Sequence, residues 1–286
     1  MDADAFHRND CQSLAVVSWN LDHGGRDGDL RQDYTRLWKQ VDALSEFDAD
    51  LVALQEAKWG EHSNRVLNEV SHRLGMTVRF LIPSRSHGSH LAMFVRERPG
   101  LRVVQERHAQ VPYWHAQGHL ELAIGKGSLR FVNIHCAPSS STLRLIEAES
   151  IELLKDQPVI AAGDFNATPV GHGTSTPAHH KSDDRPARVL HAAGFVDVAN
   201  YLGVDTPTVV DQEQSGEFAY RCDRILSTLP PHMYDSATVE EPDDPPLSNH
   251  RMITAIFHIH PDFLWQPHQE MRRPEGLNSS GLAVRP

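Results

Sequence analysis

Residues 159–168 read VIAAGDFNAT and place a carboxylate and an amide at the end of a segment that otherwise looks like a buried strand. Five small or apolar residues lead into Asp164, Phe165 and Asn166. Side chains two positions apart on a strand share a face, so Asp164 and Asn166 can converge on one ligand. A buried strand is a rigid mount for such a site, although GDFN by itself also fits an Asx turn.

Three earlier apolar runs end in the same way, in a polar side chain suited to a metal ion or a phosphate. Residues 14–20 (LAVVSWN) end in Asn20, residues 50–56 (DLVALQE) end in Glu56, and residues 129–136 (LRFVNIHC) carry His135. Their content of β-branched and apolar residues predicts a strand in each case.

Two later runs show the reverse order, with the polar groups at the start. Residues 222–227 (CDRILS) begin around Asp223, and residues 248–257 (SNHRMITAIF) open with Asn249 and His250. If the late strands run opposite to the early ones, all of these groups meet at one edge of the sheets. Each residue alone fits a turn, the surface or a satisfied core position, but six such positions at strand edges favour a shared function.

The chemistry that fits these side chains is the hydrolysis of a phosphate ester with a hard divalent cation. Mg²⁺ prefers oxygen ligands and keeps several waters, so one or two carboxylates suffice to hold it. Glu56 is the natural ligand, and Asn20 and Asn166 can supply neutral oxygens or amide donors. A histidine with a pKa near neutrality can take a proton from the attacking water or stabilise developing charge.

Composition excludes some classes of function. The chain has 286 residues, 40% of them hydrophobic, and a formal net charge of −11. Such a surface does not hold nucleic acid by bulk electrostatics, although a metal ion can neutralise a phosphate site locally. The three scattered cysteines, the acidic N-terminus and the lack of a membrane-length apolar run predict a reduced, soluble, cytoplasmic protein, which we expect to be a monomer.

The distribution of strands and helices predicts one mixed α/β domain with two packed sheets and helices outside them. We expect a flexible leader over residues 1–13, the domain over 14–260 and a poorly ordered tail over 261–286. Residues 170–187 have almost no apolar content and are predicted to form a mobile loop.

The ordered motifs SWN, LQE, NIH, GDFNATP, RCDRIL and SNH resemble the endonuclease/exonuclease/phosphatase superfamily, the fold of deoxyribonuclease I and of abasic-site endonucleases. The resemblance covers about residues 14–258. It implies a four-layer α/β sandwich, in which helices flank two mixed, mainly antiparallel β-sheets. It also implies metal-dependent hydrolysis of phosphoesters at one end of the two sheets.

The resemblance further implies roles for single residues. Glu56 would be the principal Mg²⁺ ligand, with Mn²⁺ as the alternative ion, and Asn20 would help to bind the metal or the phosphate. Asp164 would orient or activate the nucleophilic water, while Asn166 holds the phosphate oxygen beside it. The implied metal ligands are Asn20, Glu56, Asp164 and His250.

The remaining implied roles fall on residues that contact the phosphate. His135 would stabilise it or assist the leaving group, and Asp223 would position other ligands or bind a second metal. His250 would contact the scissile phosphate or act as a base. The implied catalytic residues are His135, Asp164, Asn166, Asp223, Asn249 and His250.

Asn249 departs from the family pattern, which usually has aspartate before the final histidine. A carboxylate there would fix the histidine tautomer and stabilise its charged form, whereas an amide supplies no negative charge. We therefore predict a lower pKa for His250 than an aspartate at 249 would give, and an active but slower enzyme.

Lys58 and Trp59 directly follow Glu56 and are candidates to hold a phosphate and stack on a base. Trp59 fits core packing equally well. The leading interpretation is a Mg²⁺-dependent phosphodiesterase or nuclease. Long duplex DNA is disfavoured because no basic stripe is present, while a single strand or a short nucleotide-like ester is left open. The alternatives are a phosphomonoesterase or inositol/lipid phosphatase of the same fold, a non-catalytic binding module, and a zinc hydrolase suggested by the nineteen histidines.

Overall fold

Two six-stranded β-sheets pack face to face, and helices cover their outer faces, so the predicted α/β sandwich is confirmed. The computed structural model describes residues 11–27, 33–60, 64–172, 183–211, 218–240 and 246–265. The first sheet runs in the order β13 (Tyr234–Val239), β14 (Ile253–Ile259), β1 (Gln12–Asn20), β2 (Leu51–Ala57), β4 (His90–Val95) and β3 (Val78–Ile82).

The second sheet and a separate small sheet complete the strand inventory of the described residues. The second sheet runs in the order β5 (Leu101–Ala109), β6 (Ala116–Ile124), β7 (Gly127–His135), β8 (Val159–Asp164), β12 (Asp223–Ser227) and β9 (Val196–Asp197). The small antiparallel pair is β10 (Val209–Asp211) with β11 (Phe218–Tyr220).

Amphipathic helices bury one stripe each against the sheets. The helices are α1 (Thr35–Ser45), α2 (Arg65–Arg73), α3 (Ser141–Glu152), α4 (Arg185–Ala192) and the short α5 (Val198–Tyr201). In α1, Leu37, Val41 and Leu44 are buried at the spacing of one helical face. Helix α3 is capped by Ser140, whose side chain accepts a hydrogen bond from the amide of Leu143 at 3.2 Å.

The strand directions bring the polar ends of the runs together, as the sequence predicted. Strands β1 and β2 are parallel, and so are β7 and β8, with His135 paired opposite Asp164. Strand β12 runs antiparallel to β8 and pairs Asp223 with the same Asp164. Strand β14 is antiparallel to β1, so His250, just before β14, lies at this edge too.

A pair of buried amides joins the two sheets near that edge. Gln55 on β2 donates a hydrogen bond through Nε2 to Oδ1 of Asn133 on β7, at 2.9 Å. Asn133 in turn donates through Nδ2 to the carbonyl oxygens of Leu54 and Ala92, both at 3.0 Å. Both side chains are fully buried. These bonds fix the alignment of one sheet on the other, because buried amides need partners.

Some predicted boundaries differ from the structure. Strand β1 begins at Gln12, inside the predicted leader, and Leu264 is buried beyond the predicted domain end, next to a short 3₁₀ helix at Pro261–Phe263. The last three residues of the predicted loop 170–187 belong to α4, while residues 173–182 lie outside the described part of the chain, as do residues 1–10 and the tail from 266. Within the described residues, no helix is long and apolar enough to span a membrane.

Candidate active site

The ends of β7 and β8 approach closely because residue 163 is a glycine. A Cβ atom on Gly163 would lie 2.0 Å from the carbonyl oxygen of Ile134, and its φ of 149° is a conformation that side chains rarely adopt. The close approach sets His135 beside Asp164, with His135 Nε2 at 3.4 Å from Asp164 Oδ2. Both side chains are almost completely buried.

The carboxylate of Asp164 lies at the centre of the predicted residues. Its Oδ2 accepts a hydrogen bond from Nδ2 of Asn20 at 3.1 Å and lies 3.9 Å from Nε2 of His250. Its Oδ1 accepts from the backbone amide of Asn166 at 2.8 Å, which is the Asx turn that GDFN also fitted. The Asx turn is therefore part of the candidate site, because it directs Oδ2 of Asp164 towards Asn20 and His250 on other parts of the chain.

Asn166 has a positive φ of 49°, and its side chain is bonded to the residue that follows β7. Its Nδ2 donates to the carbonyl oxygen of Cys136 at 3.0 Å. This bond fixes the orientation of the amide at the strand end. The structure thus brings Asn20, His135, Asp164, Asn166 and His250 together, as the sequence predicted.

Asp223 orients the imidazole of His250. Its Oδ2 lies 2.8 Å from Nδ1 of His250, and the carboxylate is fully buried. A carboxylate accepts from Nδ1–H, so Nε2 is the nitrogen that faces Asp164. The side chain of Asn249 is exposed instead. The role that the family pattern gives to an aspartate at residue 249 therefore falls here to a buried carboxylate 27 residues earlier.

His115 adds a second imidazole that the sequence reasoning missed. Its ring stacks on that of His135, with centroids 4.0 Å apart and planes 15° apart. Burial first, and then the charge of His135, together lower the pKa of His115 to about 2. Burial also lowers the pKa of His135, against the opposing charges of Asp164 and Glu56. Both rings are therefore neutral near pH 7. The only signal was the position of His115 beside two aromatic residues.

Glu56 belongs to a second cluster, closer to the surface. One ligand atom each of Asp22, His23 and Glu56 lies within 4.8 Å of the others. Oε2 of Glu56 accepts from the backbone amide of His23 at 3.0 Å. Burial favours a raised pKa for Glu56, but His135, the His23 amide and Lys58 together outweigh burial and lower it. Glu56 is therefore ionised at neutral pH. Asp22 and His23 were missed, although Asp22 follows Asn20 by two residues.

The predicted metal ligands fall into two separate clusters. Asp164 and His250 group with Cys222 and Asp223, all buried, while Glu56 groups with Asp22 and His23. Asn20 joins the two clusters, since its Oδ1 accepts from the amide of Asp22 at 3.1 Å while its Nδ2 donates to Asp164.

The donor chemistry of both clusters fits a divalent cation. The carboxylates of Asp22 and Glu56 are partly exposed, which suits a hard ion that keeps several of its waters. In the deep cluster, the buried Oδ1 of Asp223 has no hydrogen-bond partner among the described residues. Buried polar atoms of folded proteins almost always have a partner, so this atom is suited to receive a ligand.

The two candidate substrate-binding residues have different surroundings. Trp59 is fully buried, and its Nε1 donates to the carbonyl oxygen of Gly24 at 3.0 Å. It therefore packs in the core and cannot stack on a base, which corrects the expectation of substrate contact. The side chain of Lys58 remains partly exposed, with Nζ 3.6 Å from Oε2 of Glu56.

The sequence matches the Endonuclease/Exonuclease/phosphatase family over residues 17–267, whereas no curated protein matches it. The fold is similar to TDP2 from D. rerio in complex with a single-strand DNA product, at 18% identity and a TM-score of 0.63, covering 86% of this chain and 99% of that one.

Two further solved structures share the fold. A family protein from Leptotrichia buccalis C-1013-b is 15% identical with a TM-score of 0.63, covering 86% of this chain and 100% of its own. Truncated TDP2 from Caenorhabditis elegans is 16% identical with a TM-score of 0.59, covering 86% of this chain and 98% of its own. Identities this low show a shared architecture and leave the chemistry to be argued from the site.

Proposed function

The chain belongs to the endonuclease/exonuclease/phosphatase family, and we propose that it is a phosphodiesterase that hydrolyses a nucleotide-like ester with a divalent cation. Family membership supports phosphoester hydrolysis. The observation that carries the proposal is the convergence on Oδ2 of Asp164, where Asn20, His135 and His250 meet around one carboxylate.

Asp164 is the proposed base. A carboxylate held by Asn20 and by the turn amide of Asn166 has one fixed orientation and can accept the proton of an attacking water. The water oxygen forms a bond to phosphorus while the water proton passes to Asp164. The ester P–O bond breaks with its electron pair on the leaving oxygen, which then takes a proton from solvent. Rigid placement accounts for much of the rate, because misplacement of about 1 Å can cost about 10²-fold.

His250 and His135 are proposed to stabilise the phosphoryl oxygens. With Nδ1–H of His250 donated to Asp223, its Nε2 is directed towards Asp164 and can donate to the phosphate when the ring is the imidazolium, whose charge Asp223 would stabilise. His135 presents Nε2 to the same carboxylate from the other side. Preorganised donors of this kind act where charge develops in the transition state.

Asp22 and Glu56 are the residues proposed to hold Mg²⁺ or Mn²⁺. When bound there, the ion would neutralise phosphate charge and act as a Lewis acid. The ammonium of Lys58, 3.6 Å from Oε2 of Glu56, would give way to the ion and could then contact the phosphate.

A short single strand is the proposed substrate class. A chain of net charge −11 is poorly suited to track a long duplex. The D. rerio TDP2 structure of the same fold contains a single-strand DNA product, which supports the choice.

The proposal is tested by hydrolysis of a panel with and without Mg²⁺ or Mn²⁺. The panel contains an aryl phosphodiester, an aryl phosphomonoester, single-stranded DNA, duplex DNA and RNA. We expect diester cleavage that requires metal and is lost in Glu56→Ala and His250→Ala. Glu69→Ala and His258→Ala, on exposed side chains, are the matched controls and should keep full activity.

Other results of the same panel would favour the alternatives. Preference for the monoester would indicate a phosphatase, and turnover with Zn²⁺ but not with Mg²⁺ or Mn²⁺ would indicate a zinc hydrolase. Metal binding with no turnover on any substrate would contradict the proposal and favour a binding module.

A further inference from the structure

We propose that His23 is a nitrogen ligand of the divalent cation, so that this chain has a mixed nitrogen–oxygen site that binds Mn²⁺ more tightly than Mg²⁺. The inference rests on the cation site of the proposed function and specifies its ligands and its ion. Its basis is the set of contacts between the loop after β1 and the end of β2.

The loop after β1 folds back so that His23 lies against Glu56. The backbone amide of His23 donates to Oε2 of Glu56 at 3.0 Å. Two glycines follow, and a Cβ atom on Gly24 would lie 2.8 Å from the backbone nitrogen of Lys58. This close packing leaves the loop one position over the end of β2, with the imidazole of His23 beside the carboxylate of Glu56.

Lys58 shows that the lone pairs of His23 and Glu56 already converge on a cation. Its Nζ lies 2.7 Å from Nδ1 of His23 and 3.6 Å from Oε2 of Glu56. A lysine ammonium has only donors, so Nδ1 of His23 is the acceptor and directs its lone pair towards the positive charge. The ammonium marks a position that favours a cation and is contacted by one nitrogen and one oxygen.

The spacing of the two atoms fits a shared metal ion. Nδ1 of His23 and Oε2 of Glu56 are 3.8 Å apart. Bonds of about 2.1 Å to nitrogen and oxygen ligands allow one ion to contact two atoms up to about 4.2 Å apart. A carboxylate oxygen of Asp22 lies 3.7 Å from Nε2 of the His23 ring, and one ligand atom each of Asp22, His23 and Glu56 lies within 4.8 Å of the others.

The donor set decides which ion is preferred. Mg²⁺ favours oxygen ligands and loses its waters reluctantly, whereas imidazole nitrogen suits first-row transition metals. A site of two carboxylates and one imidazole should therefore favour Mn²⁺, which accepts both oxygen and nitrogen. The positive charge of Lys58 competes for the same position, so its removal should strengthen binding of the ion.

The test is electron paramagnetic resonance of Mn²⁺ bound to the full-length protein, which requires no substrate. Titration gives the affinity, and pulsed spectra report coupling to a bound ¹⁴N nucleus. We expect nitrogen coupling in the wild type, its loss in His23→Ala, and a loss of about 10-fold or more in Mn²⁺ affinity. Competition with Mg²⁺ should show a smaller change for that ion. In Lys58→Met, nitrogen coupling should remain and Mn²⁺ should bind more tightly.

Several outcomes would overturn the inference. Nitrogen coupling that survives His23→Ala but is lost in His250→Ala would place the ion in the deep cluster instead. Weaker Mn²⁺ binding in Lys58→Met would contradict competition between the ammonium and the ion. His258→Ala is the control for loss of an unrelated histidine and should leave the spectra unchanged. Hydrolysis with Mn²⁺ bound through oxygen alone would refute this ligand and leave the proposed function standing.

Discussion

Replacing Gly163 with alanine should destabilise the protein and separate the residues that this glycine brings together. The new Cβ would lie 2.0 Å from the carbonyl oxygen of Ile134, whereas carbon and oxygen atoms in contact lie about 3.3–3.6 Å apart. The clash is with backbone, so β7 and β8 would have to separate by about 1 Å or more. Overpacking costs about 1–3 kcal/mol, and the unfavourable φ adds about 1–3 kcal/mol.

We therefore expect Gly163→Ala to lose about 2–6 kcal/mol of unfolding free energy, the sum of these two costs. Urea unfolding followed by circular dichroism measures the loss. Gly203→Ala is the matched control, because its φ is also positive (77°) but no atom lies within 4 Å of the added Cβ. It should lose about 1–2 kcal/mol from the conformation alone. Equal losses in the two variants would refute the steric reasoning.

The same variant tests how the site depends on the fold. The contact of 3.4 Å between His135 and Asp164 relies on the close approach of β7 and β8. If folded Gly163→Ala protein is obtained, its kcat on the preferred substrate should fall about 10²-fold. Unchanged kcat would show that the spacing of these two residues does not limit catalysis.

Three further predictions concern single side chains. Burial raises the pKa of Glu147 to about 7 from 4.5, so the folded state binds the proton more tightly than the unfolded state. The contribution of Glu147 to the free energy of unfolding should therefore decline by about 3 kcal/mol as pH rises from 4.5 to above 7. Urea unfolding of wild type and Glu147→Gln at pH 5 and pH 8 measures this decline, and an equal change of unfolding free energy with pH in the two proteins would contradict it. Asp223→Asn should lower kcat about 10²-fold or more, because an amide no longer enforces Nδ1–H on His250, while circular dichroism spectra stay unchanged; a change in KM alone would argue against this role. Asn249→Asp should change the pH–rate profile only modestly, since residue 249 is exposed, and a large shift of the profile would restore the sequence-based hypothesis.

The sequence predicted which polar side chains of the candidate site lie at strand ends. Asn20, Glu56, His135 and Asp164 each end an apolar run, and strand direction then brings them to one edge. Their placement at this edge was predictable because an apolar run followed by a polar residue indicates both a strand and the residue at its end. The fold class followed from the same pattern.

Contacts between distant parts of the chain could not be predicted from this local pattern. The pairing of Asp223 with His250 joins β12 of one sheet to the segment before β14 of the other, and sequence adjacency pointed to residue 249 instead. The burial of Trp59 depends on the loop that places the carbonyl oxygen of Gly24 within hydrogen-bonding distance of its indole Nε1. Positive φ values at Asp22 and His23 create that loop, and no periodic pattern predicts them.

The hydrogen-bonded amide pair of Gln55 and Asn133 has a consequence for when the candidate site forms during folding. The candidate site takes residues from both sheets, so it exists only after the sheets have docked. A docking shifted by one residue would leave buried amides without partners, at a cost of about 1–3 kcal/mol for each unsatisfied group. Misaligned intermediates are therefore disfavoured before any substrate is present. Catalytic competence should appear in the same kinetic phase as the final docking of the sheets, and not before it.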